Sequence, residues 1–250
     1  MRPTRILALT GLSLSLLGTA NADIETSIGA GYASDYVFRG TNYGDDLLEA
    51  TIGVSGSGNF GGLGDIDFAA SIWFGTASDF GGTGIGGNEM DISLSASKAL
   101  SENLSVEVGV TNYSYYGDIT TVFAANGTPL NDDLEPYIGL ETCLGGISLG
   151  LAAHFNEGGE QAHDIYWELT AGYEMEVSGG VTLGLAGVIG HWDDDVRVED
   201  TYYGVRAGLS IAASDSITVT PYVSHTIDGN QVDGTADDET VAGVSVSFGF

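Results

Sequence analysis

Ten carboxylates share one parity of the alternating segments that fill most of this chain: Glu25, Glu49, Asp67, Asp91, Glu107, Glu135, Glu141, Asp164, Glu168 and Glu174. Only Arg206 clearly opposes them. The rest of that face is dominated by Gly, Ser, Thr and Ala, which take up little room. A ring of carboxylates around a water-filled space favours cations. The plainer reading is that some of these acids end their strands and are simply solvated. A second place with chemical potential is the run from Ser34 to Gly40, "SDYVFRG". There Arg39, one of six basic residues in 250, follows Asp35 by four positions in an aromatic stretch with Tyr36 and Phe38.

Other chemistries find little support. The four histidines, His154, His163, His191 and His225, form no H-x-x-x-H pair, and the single Cys143 forms no C-x-x-C, so no metal site and no cofactor are expected. His191 and His225 fall on the apolar parity near loop ends, where a barrel hydrolase would carry its histidine. No serine lies beside either on the same face in sequence, although a neighbouring strand could supply one. "GGTGIGGN" joins two strands and has no Lys, so it cradles no phosphate. Acidic clusters at Asp45-Asp46, Asp132-Asp133, Asp193-Asp194-Asp195 and Asp237-Asp238-Glu239 could hold divalent cations that bridge to lipid headgroups, but none has the EF-hand spacing.

The elements that position these residues are strands. Period-two alternation runs through twelve segments, from Ile24-Thr26-Ile28-Ala30-Tyr32 to Val244-Val246-Phe248-Phe250, with no long helical periodicity between them. Short connections such as "TCLGGIS" and "EVSGGV" alternate with longer ones at 35–46, 76–89, 117–132, 156–163, 193–200 and 228–239. Sorted loop lengths and an even strand number predict an all-β fold, a transmembrane antiparallel up-and-down β-barrel of about twelve strands. About ten residues at roughly 3.3 Å each, tilted near 40°, cross an apolar band of about 25 Å. The chain ends "SVSFGF", and Phe248 and Phe250 resemble the C-terminal assembly signal of outer-membrane barrels, which implies the barrel-assembly machinery as a partner.

The first residues set the compartment. Arg2 and Arg5, an apolar run from Ile6 to Leu17 and Ala20-Asn21-Ala22 predict a cleaved signal peptide over 1–22, with the barrel over 23–250. Acids outnumber bases 35 to 6, a formal net charge of −29, which excludes nucleic acid as a partner. The same acidity would suit a saline habitat. With one cysteine, no internal disulfide staples the chain.

Continuing the parity of the first segment places Tyr32, Tyr36 and Phe38 outward in an aromatic girdle, with Asp35, Val37 and Arg39 inward at the outer mouth. Arg39 would then meet carboxylates there, Asp35 among the nearest in sequence, either neutralising the rim or shaping a constriction. "GYASDYVFRGTNYGDD" resembles the opening of the Gcw_chp family, the TorF-type porins, through Ser34, Asp35, Tyr36, Phe38, Arg39 and Gly40. "EVGVTNYSYYGD" and "HDIYWELTAGYEMEVSGGVTLGLAGVIGHWDDD" are similar to its later parts. The resemblance implies an outer-membrane, porin-like protein and nothing finer.

Two functions are therefore expected from different classes. One is a passive, cation-biased channel for small hydrophilic solutes in the bacterial outer membrane, with no enzymatic activity. The other is a non-conducting surface barrel, an adhesin or structural protein whose acidic loops bind divalent cations or lipopolysaccharide; that reading expects a lumen blocked by side chains or by a folded-in loop. A soluble β-sandwich would not sort its loops by length.

Overall fold

A computed structural model describes residues 24–78, 87–117, 129, 131–156, 164–193, 201–231 and 236–250. The expected leader at 1–22 and most of the longer connections lie outside these residues. Twelve strands form one closed antiparallel barrel: β1 (Glu25–Phe38), β2 (Thr41–Asn59), β3 (Asp65–Ser78), β4 (Asn88–Ala99), β5 (Leu104–Tyr116), β6 (Asn131–Leu144), β7 (Ile147–Phe155), β8 (Ile165–Ser178), β9 (Val181–Asp193), β10 (Thr201–Ala212), β11 (Ile217–Gln231) and β12 (Ala236–Gly249). Each strand pairs with its sequence neighbours, and β1 closes on β12 from Ser27↔Gly249 to Ala33↔Gly243. Phe250 exchanges both backbone hydrogen bonds with Thr26, at 3.0 and 3.3 Å. Closure leaves no strand edge, the condition for placing a sheet in hydrocarbon.

The expected alternation is visible as exposure. Leu48, Ile52, Leu94, Val108, Leu140, Leu151 and Leu185 project from the outer wall, each 44–57% exposed. Such a continuous apolar belt would be a liability in water and is what a lipid-facing wall requires. Short connections gather at one end with both termini, here the turn end. Gly145 (φ 61°) and Gly146 (φ 88°) make the two-residue link between β6 and β7, a backbone conformation that glycine adopts without steric cost. Cys143 lies in β6 next to this link rather than in the turn itself.

The loop end departs from expectation. Residues 35–46 form no long loop: β1 and β2 run on as a hairpin joined only by Arg39 (φ 48°) and Gly40 (φ 78°). Strands also extend into other segments expected as loops, so Asp45, Asp46, Asp132, Asp133, Asp237, Asp238 and Glu239 sit on strand ends. Asp193 ends β9, whereas residues 194–195 lie outside the described residues.

Glycine on the lumenal face has a packing purpose. A Cβ on Gly109 would lie 2.5 Å from the Tyr137 ring, and one on Gly243 would lie 2.4 Å from the Tyr222 ring. Aromatic rings of neighbouring strands lie flat over these glycines, which keeps bulky side chains against the wall. Gly109→Ala should force Tyr137 off the wall at a cost of about 1–3 kcal/mol. On gels that resolve folded from heat-unfolded barrel, this variant should unfold at a lower temperature than wild type. Gly184→Ala, where nothing lies within 4 Å, should not.

Candidate functional site: a hairpin folded into the barrel mouth

The β1–β12 ladder stops at Ala33↔Gly243, and the next residue makes the break without leaving a donor unpaired. Ser34 Oγ accepts the Ala242 N–H at 3.1 Å, the role a backbone carbonyl would otherwise fill, and its hydroxyl donates to Asp35 Oδ2 at 2.5 Å. On the other arm, Asp46 (φ 54°) sits at a register shift of β2 against β3, between Asp45↔Ser78 and Leu48↔Thr76. A second shift, between Tyr36 and Val37, lies within the hairpin. Freed from β12 and bent at these irregularities, the hairpin turns into the lumen.

Tyr36 and Phe38 consequently point inward, not into an outer girdle. Parity assigns faces only while a strand has lipid on one side; a segment inside the barrel has none. Tyr36 is 7% exposed and packs with Ala33, Leu47, Trp73 and Val241. Its ring lies 5.6 Å from Tyr43 and 5.9 Å from Trp73, and its hydroxyl donates to Glu89 Oε2 at 2.6 Å. The Phe38 ring lies 5.8 Å from that of Tyr113. Tyr32, before the break, remains outward at 40% exposed.

Arg39 is carried to the opposite wall. Its Nη1 and Nη2 donate to Glu135 Oε2 and Oε1 of β6 at 2.6 and 2.7 Å, with the two side chains only 5% and 4% exposed. Asp35 is not its partner. His154 Nδ1 of β7 lies 3.1 Å from both Arg39 Nη2 and Glu135 Oε1, accepting from one or donating to the other according to its tautomer. The Tyr113 hydroxyl adds a donor to Glu135 at 3.2 Å. The guanidinium carbon lies 4.2 Å from the Tyr166 ring centroid, 4.9 Å from Phe38 and 5.5 Å from Trp192. A desolvated ion pair holds only with such bidentate geometry and added donors, and removing one partner costs roughly 3–5 kcal/mol.

The tip meets the remaining wall as well. A Cβ on Gly40 would be 2.5 Å from Tyr202 Cγ of β10, which with its positive φ leaves room only for glycine. Thr41 and Asn42 then pair in parallel with Asn230 and Gln231 of β11. From Phe38 to Asn42 the hairpin thus touches β5 through β11 and crosses the mouth at the loop end.

Inside lies a cavity of about 790 Å³ whose lining includes eight carboxylates, Asp35, Glu49, Asp91, Glu107, Glu141, Glu168, Glu174 and Asp215, and two arginines, Arg39 and Arg206. Several of these acids are held by neutral donors. Trp73 Nε1 donates to Glu49 at 2.8 Å, the Tyr137 hydroxyl to Glu107 at 2.7 Å and the Tyr166 hydroxyl to Glu168 at 2.8 Å. Such bonds orient a carboxylate without cancelling its charge. Among the acids singled out in sequence, Glu25, Asp67 and Asp164 do not line this cavity, and Glu135 is buried in the ion pair.

Sequence reasoning missed Glu89, 2% exposed, because it fell in an expected loop, and it gave His154, Tyr166, Trp192 and Tyr202 no role beside Arg39. Large aromatics on the polar parity beside lumenal glycines were the available signal. His191 is exposed and His225 half-buried, and they face Thr201 and Thr240 hydroxyls at 2.8 and 2.9 Å, not a serine. Among the described residues, no group of three or more His, Cys, Asp or Glu could hold a metal ion.

This is the fold of twelve-stranded outer-membrane barrels. The chain is similar to a NanC porin, with TM-score 0.51 and 11% identity over 89% of this chain and 98% of that one. It is also similar to the COG4313 outer membrane channel from Pseudomonas putida F1, with TM-score 0.52 and 11% identity over 93% and 97%. No protein-family model and no curated protein sequence matches it.

Trypsin reads the hairpin directly, because Arg39 is the first Lys or Arg after Arg5. Folded wild-type protein should resist cleavage after Arg39, where the side chain is buried. Glu135→Ala should release the tip and yield a fragment beginning at Gly40. Equal resistance in both proteins would mean that the ion pair does not hold the hairpin.

Proposed function

We propose that the chain is an outer-membrane porin-like channel for passive diffusion of small hydrophilic solutes, biased toward cations and constricted at the loop end by its first hairpin. The observation that carries this reading is the 790 Å³ lumenal cavity with eight carboxylates and two arginines, one of them locked against Glu135. A cation passing through meets carboxylates whose charge is oriented by Trp and Tyr donors rather than neutralised. The resemblance of Ser34 to Gly40 to the Gcw_chp porins supports the same class, as does the channel fold. Export by the leader at 1–22, assembly through the strand ending in Phe248 and Phe250, and contact of the apolar belt with outer-membrane lipid and lipopolysaccharide belong to this proposal.

A second reading is supported by one observation: the hairpin crosses the mouth. In it the barrel does not conduct, and the acidic strand ends at the loop end bind divalent cations or lipopolysaccharide. Refolded protein in a planar bilayer under a salt gradient separates the two. The channel reading expects discrete conductance steps and a reversal potential of cation sign. Glu49→Gln with Glu107→Gln should move that potential toward zero. Folded, inserted protein without steps would favour the second reading.

A further inference from the structure

The lumenal charges are not spread evenly around the barrel. Cavity-lining carboxylates occupy β2 through β8, with Glu49 on β2, Asp91 on β4, Glu107 on β5, Glu141 on β6 and Glu168 and Glu174 on β8. Along β9 to β12 the lining is hydroxyl-rich, with Thr182, Ser210, Thr218, Thr220, Ser224 and Ser245. The one charged side chain that these four strands add to the lining is Arg206; Asp215 lies in the turn after β10, and Asp35 in the folded hairpin.

Arg206 is also held differently from Arg39. Its guanidinium carbon lies 3.6 Å from the Tyr222 ring centroid, and Tyr222 in turn lies flat over Gly243. Wall, tyrosine and guanidinium make a fixed stack. Among the described residues no hydrogen bond or ion pair occupies the Arg206 N–H groups, and the carboxylate that acts on it electrostatically is Glu49 of β2. An oriented guanidinium without a bound carboxylate, facing a wall of carboxylates, sets a field across the lumen rather than along it.

We infer that this lumen takes small zwitterions, of the size and charge separation of an α-amino acid, with the solute carboxylate on Arg206 and its ammonium toward the β2–β8 wall. The inference rests on the channel reading and names its solute class. A fork of N–H donors suits a carboxylate, and desolvation of each solute end is offset by a fixed opposite charge. A simple cation gains from one wall only, and a simple anion is opposed by the other.

Free glycine and glycolamide test this, because they are isomers of equal size and only glycine is zwitterionic. Swelling of proteoliposomes in iso-osmolar glycine or glycolamide gives a rate ratio internal to each preparation, so the amount of folded protein cancels. Wild type should admit glycine several-fold faster. Arg206→Gln should bring the ratio to unity. Arg206→Lys, which keeps the charge but not the planar fork, should retain part of the preference and serves where the glutamine variant does not fold. Equal wild-type rates, or a preference that survives Arg206→Gln, would overturn the proposal while leaving the channel intact. A folded wild type with no potassium conductance would instead remove the channel reading, and this inference with it.

Discussion

The ion pair between Arg39 and Glu135 joins the first hairpin to the far side of the barrel. In a ring of twelve strands β7 stands opposite β1 and β6 is its neighbour, so the 2.6 and 2.7 Å bonds to Glu135 hold the hairpin across the lumen. Arg39 adopts a left-handed backbone conformation that a long side chain disfavours, and its charge is removed from water. Both costs are tolerable because Glu135 receives the guanidinium in bidentate fashion while Tyr166, Phe38 and Trp192 surround it. Each member of the Ser34–Gly40 motif then has a physical task. Ser34 closes the ladder, Asp35 fixes Ser34, Tyr36 and Phe38 pack the inserted arm, and Gly40 lets the turn pass Tyr202.

Below this hairpin the wall solves a different problem. A twelve-stranded barrel stays hollow only if its inward side chains are small or lie flat. The chain does both, with glycines under Tyr137 and Tyr222 and hydroxyl residues along β9 to β12. The flattened aromatics supply the donors that orient Glu49, Glu107 and Glu168. Abundant glycine and tyrosine in the composition are thus two halves of one packing device, and the acidity of the lumen is preserved by it.

The wall was legible in the sequence because lipid on one side and water on the other impose a strict period of two. Ile52, Leu94 and Leu151 face outward as that period requires, and the turn end follows from its glycines. The hairpin was not legible to the same logic. From Ser34 onward both faces are enclosed by protein, so the alternation that assigns Tyr32 correctly misassigns Tyr36 and Phe38. The partner of Arg39 lies 96 residues away, and no local pattern carries that distance. Asp35, four residues before it, was the natural candidate and instead accepts from Ser34.

The central claim is that one ion pair holds the first hairpin across the lumen, so its two ends must act as a unit. The most direct measurement is a double-mutant cycle on single-channel conductance with Arg39→Ala, Glu135→Ala and the pair combined. Each single change should raise the conductance by releasing the hairpin, and the double variant should conduct no more than the larger of the two. Conductance unchanged by either single substitution, or increments that simply add, would contradict it.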